Sequence, residues 1–109
     1  MKNTPLNLIV KLERNLKKNS LWVYILKLLA EKPMHAYIIN QAIQEKFGFS
    51  VAKETPYVYL YELEKCGLVE SEIKKGRKRP VKVYKLTEEG ERVLQESLKM
   101  FKEVVHMLS

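Results

Sequence analysis

The chain has 109 residues, 46% hydrophobic and 30% charged, the size and balance of one soluble domain with a small core. It holds 20 Lys plus Arg against 13 acidic residues, a net charge of +7, and every acidic residue is Glu. The lack of Asp excludes Asp-based calcium loops and Asp-centred catalytic constellations, the single Cys66 excludes an internal disulfide, and no apolar run reaches the ~20 residues that span a bilayer.

Polar Asn3, Thr4 and Pro5 stand where a signal peptide would need its apolar centre. A reducing cytoplasmic setting is expected, with no membrane partner. Thr4-Pro5 then reads as a helix start, and Leu8, Ile9, Leu12 and Leu16 recur at helical spacing to about Lys18. Asn19-Ser20 breaks and recaps the chain. LWVYILKLLAE, residues 21–31, is apolar nearly all round, as a helix touching neighbours on several sides would be. Lys32-Pro33 ends it. The next segment, HAYIINQAIQEKFG, puts Ala36, Ile39, Ile43 and Phe47 on one face, and Gly48 closes it.

FSVAKE, residues 49–54, is a short extended connection. Thr55 as N-cap and Pro56 at the first position open a helix that should carry Tyr57, Leu60 and Leu63 inward and stop at Gly67. LVESEIK and VKVYKL alternate as two strands joined by a basic turn. Thr87 caps a last helix from 88 to about 108, in which Leu94, Leu98, Phe101, Val105 and Leu108 repeat as a heptad-type seam.

Two mid-chain helices followed by a hairpin make a mainly α (α+β) winged helix-turn-helix, whose second helix can enter a major groove. The domain would span 20–87, between terminal helices at 1–19 and 88–109. The hairpin tip carries the charge. In KKGRKRPVKVY, residues 74–84, six of the first nine residues are basic, and without them the 20 basic residues fall to 14 against 13 acidic. Such a local positive field points to a polyanion. Lys74, Lys75, Arg77, Lys78, Arg79 and Lys82 are the candidate phosphate or minor-groove contacts, with Gly76 and Pro80 shaping the turn.

LLAEKPMHAYII (28–39), TPYVYLYELEKCGLV (55–69) and VYKLTEEGERVL (83–94) together resemble the PadR-like family of transcriptional regulators. The shared pattern is a His-Gly-Tyr-type helix start, a Tyr and two Leu in the recognition helix, a Gly-Leu-Val exit and a Tyr-x-Leu-Thr-x-x-Gly close. Ala36 stands where the family usually has Gly. The likeness covers about residues 20 to 95. It implies a winged helix on double-stranded DNA, a homodimer formed through the terminal helices, and a repressor often relieved by a small aromatic or lipophilic effector.

The recognition helix departs from the family. No basic residue lies between Lys53 and Lys65, whereas relatives commonly place one near Tyr61 and Glu62, so bidentate Arg-to-guanine readout is absent. Lys53, Thr55, Tyr59 and Tyr61 are left for phosphates, thymine methyls or base edges. Ile9, Leu12, Leu16, Leu94, Leu98, Phe101, Val105 and Leu108 are the candidate dimer contacts, the alternative being that the two stripes pack on each other within one chain. Trp22, Tyr24 and Tyr37 offer flat rings for an effector pocket, or simply core. His35, His106 and Cys66 lack ligand spacing. No metal or cofactor is expected, and without a nucleophile–base pair no enzyme. A nonspecific DNA- or RNA-binding winged helix, or a protein-interaction module using the basic wing, stays open.

Overall fold

The computed structural model describes residues 4–109, so the first three residues of the 1–19 segment lie outside the described residues. Five helices and a small antiparallel sheet follow in the order α1 (Pro5–Asn19), α2 (Leu21–Glu31), β1 (Met34–His35), α3 (Ala36–Phe47), α4 (Thr55–Lys65), β2 (Val69–Lys74), β3 (Val81–Leu86) and α5 (Glu88–Leu108).

Local chemistry accounts for most boundaries. Thr4 caps α1, its hydroxyl accepting from the Asn7 amide at 3.1 Å. At Ser20 the two helices meet without a side-chain cap. Its backbone serves both, donating to the Leu16 carbonyl and accepting from the Val23 amide at 2.8 Å. Lys32 is extended before Pro33, as the residue before a proline prefers. Gly48 and Gly67 take the left-handed backbone after α3 and α4, at φ 79° and 78°.

α2 is the centre of the core. Leu21, Val23, Ile25, Leu26, Leu28 and Leu29 are buried on it, against Ile39 and Ile43 of α3, Leu60 and Leu63 of α4, Val69, Tyr84 and Leu94. Its nearly continuous apolar surface is what this central place demands.

Two expectations are corrected. The sheet has three strands, in the order β1-β3-β2, because Met34 and His35 pair with Tyr84 and Val83. The recognition helix begins one residue early: Thr55 lies inside it, Glu54 precedes it without a side-chain cap, and Pro56 takes the inward place expected of Tyr57. Pro56, Leu60 and Leu63 hold i, i+4, i+7 spacing and are buried, leaving Tyr57 48% exposed. A proline buries no polar group there, whereas a buried Tyr would need a partner for its hydroxyl.

The Gly-Leu-Val exit and the Leu-Thr-x-x-Gly close form one joint. The Thr87 hydroxyl accepts from the Gly90 amide at 3.0 Å and donates to the Gly67 carbonyl at 2.7 Å, while the Thr87 amide donates to the Leu68 carbonyl at 3.1 Å. A Cβ at Gly90 would fall on the Leu68 carbonyl oxygen. Gly90→Ala is therefore expected to destabilise the fold by about 1–3 kcal/mol, despite alanine's better helix propensity. Urea unfolding reads this as a lowered midpoint, and an unchanged or raised midpoint would show that the joint has slack.

Candidate nucleic-acid interface

The wing begins where the register ends. Lys74 lies opposite Val81, and residues 75–80 turn between them. The turn is tight enough that a Cβ at Gly76 would meet the Arg79 carbonyl oxygen, so only glycine fits without a shift. Pro80, lacking an N–H, enters β3 without leaving a donor unpaired. Lys74, Lys75, Arg77, Lys78 and Arg79 are all exposed. Among the described residues none of the five forms an ion pair. Lys74 at the end of β2 and the four cations of the turn make an exposed, strongly positive surface.

Lys82 is placed differently from those five. It sits down on β3, its Nζ 3.6 Å from Glu64 Oε1 of α4 and 5.4 Å from the Tyr84 ring centroid. The Tyr84 side chain first, and the Glu64 carboxylate after it, hold its ammonium above the ordinary lysine value. The other Glu64 oxygen accepts from the Ser71 hydroxyl of β2 at 2.6 Å. Glu64 thus ties the last turn of α4 to both wing strands. No spacing in the sequence announces this clamp.

On α4 the core side is Pro56, Leu60 and Leu63. Tyr59 turns partly inward, its hydroxyl reaching the Lys18 carbonyl of α1 at 3.5 Å. The outward face is Tyr57, Val58 and Tyr61, with Glu62, and Lys65 stands 5.2 Å from the Tyr61 ring centroid. Thr55 is half-exposed at the helix start and Lys53 exposed in the turn before it. That connection is held by Asn40, which no spacing in the sequence marks. Its side chain accepts from the Val51 amide at 3.0 Å and donates to the Val51 carbonyl at 2.6 Å, a bidentate latch from α3.

The three candidate effector rings do not meet. Tyr24 packs edge-on against Phe47 and Phe49, at 4.8 and 5.2 Å between centroids. Tyr37 is exposed and stacks on His35 at 5.3 Å. Trp22 alone lines a groove, of about 510 Å³, with Val58, Tyr59, Leu63, Cys66, Leu68 and Val93 among its walls.

The terminal stripes do not cover one another within the chain. Of the described residues none in α1 is buried, leaving Ile9, Leu12 and Leu16 exposed. On α5, Leu94 is buried and Leu98 partly so, but Phe101 is 40% exposed, Val105 65% and Leu108 85%. The radius of gyration, 16.0 Å, exceeds the roughly 13 Å of a compact chain this long. No group of residues suited to a metal ion occurs among the described residues, and no helix there is long and apolar enough to cross a membrane.

The Transcriptional regulator PadR-like family matches the chain over residues 25–96. No curated protein matches it. Among solved structures, a PadR family transcriptional regulator from Eggerthella lenta DSM 2243 superposes with a TM-score of 0.82 at 26% identity, over 94% of this chain and 89% of that one. A PadR-like transcription factor from Bacteroides fragilis gives 0.72 at 30% identity, over 91% and 99%. Bacillus subtilis PadR, in complex with operator DNA, gives 0.65 at 28% identity, over 72% of this chain and 45% of that one.

Proposed function

We propose, for a chain that belongs to the PadR-like family of transcriptional regulators, that it binds double-stranded operator DNA as a homodimer and represses transcription. The observation that carries this is the five cations of the wing, without an ion pair among the described residues and set beside the recognition helix by the Glu64 clamp. A helix about 10–12 Å across fills a major groove about 12 Å wide. With α4 in that groove, the wing reaches the flanking backbone. That Bacillus subtilis PadR is seen in complex with operator DNA supports the same use of the shared fold.

The roles then divide by chemistry. Lys74, Lys75, Arg77, Lys78 and Arg79 neutralise phosphates, giving affinity and salt dependence. Lys82 serves the clamp. Tyr57, Val58 and Tyr61 meet the groove floor, where rings and a branched aliphatic suit thymine methyls. Lys53 and Thr55 meet the backbone at the helix start. Residues 20–87 are the DNA-binding unit, and the segments 1–19 and 88–109 supply the dimer contact, through Ile9, Leu12, Leu16, Leu98, Phe101, Val105 and Leu108. A small aromatic or lipophilic effector has its best seat in the Trp22 groove, beside α5.

One observation favours a second reading, a nonspecific duplex coater: α4 offers no cation to base edges before its last residue, Lys65. Comparing binding to genomic and random duplex separates the two. The operator reading expects a genomic site bound far above random DNA, and equal binding to both would overturn it.

A further inference from the structure

A second cationic surface lies on the opposite flank of the recognition helix. The last turns of α1 and the start of α4 enclose a groove of about 430 Å³, whose walls include Arg14, Lys17, Lys18, Phe49, Ser50 and Thr55. Its parts are held in place. The Tyr59 hydroxyl reaches the Lys18 carbonyl at 3.5 Å, bringing the end of α1 beside α4. The Asn40 latch fixes the connection that supplies the other wall.

The cations there are not equivalent. Lys17 is engaged, 3.3 Å from Glu13 and 5.2 Å from the Phe49 ring centroid. Arg14 and Lys18 are exposed, and among the described residues neither forms an ion pair. On α1 they fall opposite the stripe of Ile9, Leu12 and Leu16, so covering that stripe by another copy would leave them free. Glu13 is already paired with Lys17, while Glu54 precedes α4 and Glu62 stands exposed farther along its flank.

Position gives these charges meaning. Around α4, Glu64 faces the wing on one flank, while Thr55 and Tyr59 face α1 on the other, with Tyr57 and Tyr61 outward between them. A helix seated in a major groove has a sugar–phosphate ridge along each flank. The wing meets one. Resting on the duplex-binding reading above, we infer that Arg14 and Lys18 form a second phosphate-binding patch, which grips the ridge on the side away from the wing. The hydroxyls of Ser50 and Thr55 are neutral donors beside it. Two-sided contact fixes how the helix lies in the groove, which a wing alone cannot do.

The test is duplex binding by Arg14→Gln with Lys18→Gln across a salt series, with Arg77→Ala/Arg79→Ala as reference. The log-log salt slope should fall by about 0.9 per contact, and affinity at 0.1 M salt by about eightfold per contact, on specific and random duplex alike. Lys17→Gln should change the slope less, its charge being shared with Glu13. If the reference variant loses slope while the α1 variant matches wild type, the patch is refuted and DNA binding stands. If wild type shows no salt-dependent duplex binding, both readings fall. Circular dichroism and sedimentation confirm the folded dimer. Should the double variant lose either, the two single variants each carry the same expectation of about 0.9.

Discussion

Replacing Arg77 and Arg79 together by Ala is expected to lower the salt slope of duplex binding by about 1.8 and to weaken binding at 0.1 M salt by about 60-fold. The loss should be the same on every duplex, because phosphates carry no sequence. The effect is electrostatic. Both guanidinium groups are exposed, with no acidic partner among the described residues, so on the free protein each keeps its full field. Each phosphate neutralised releases condensed counterions, and the slope counts them. Stability should hardly change, since neither side chain packs in the core. Lys82→Met provides the contrast. Its ammonium already faces Glu64, so its removal should cost orientation of the wing more than slope. An unchanged slope in the arginine variant would take the wing out of the interface.

Phe101→Glu with Val105→Glu is expected to turn a dimer into a folded monomer. Both side chains are exposed in the single chain, on the half of α5 where every residue from Lys99 onward is uncovered. Burying an unpaired carboxylate in an apolar contact costs several kcal/mol. With each 1.4 kcal/mol worth tenfold, dimer dissociation should rise at least about a thousandfold. Sedimentation velocity reads the change, and circular dichroism should show helix content retained, because neither residue supports the core. Leu98 is a poorer probe, since it packs against the core as well as continuing the seam. A variant that still sediments as a dimer would place the interface elsewhere. Loss of the dimer should also cost most of the operator affinity, since each monomer then holds a single half-site.

Much of this is legible in the sequence, and most of the exceptions share a cause. Helix ends were readable where a cap, a proline or a glycine marks them, as at Thr4, Pro33, Gly48 and Thr87. The wing was readable because alternation survives on both sides of a basic turn. β1 was not, because Met34 and His35 are extended only by pairing with β3, some fifty residues later. Tyr57 was misplaced because counting back from Leu60 by three or by four gives different neighbours, and packing chose four. The Glu64–Ser71–Lys82 clamp and the Asn40 latch join residues whose separations carry no local signal. The cations of α1 were hidden for another reason. Interleaved with leucines and nearly cancelled in the overall charge balance, they stand out only once the end of α1 lies beside Tyr59 of α4.

The claim beneath all of this is that the chain reads a DNA sequence rather than coating duplexes. Its most direct test is the affinity of wild-type protein for its best genomic site against random duplex of equal length, at one physiological salt concentration. A ratio of about a thousandfold or more is predicted, the lower end for specific binders, with protection of two half-sites about one helical turn apart. A ratio near one, with protection spread evenly along the duplex, would contradict it.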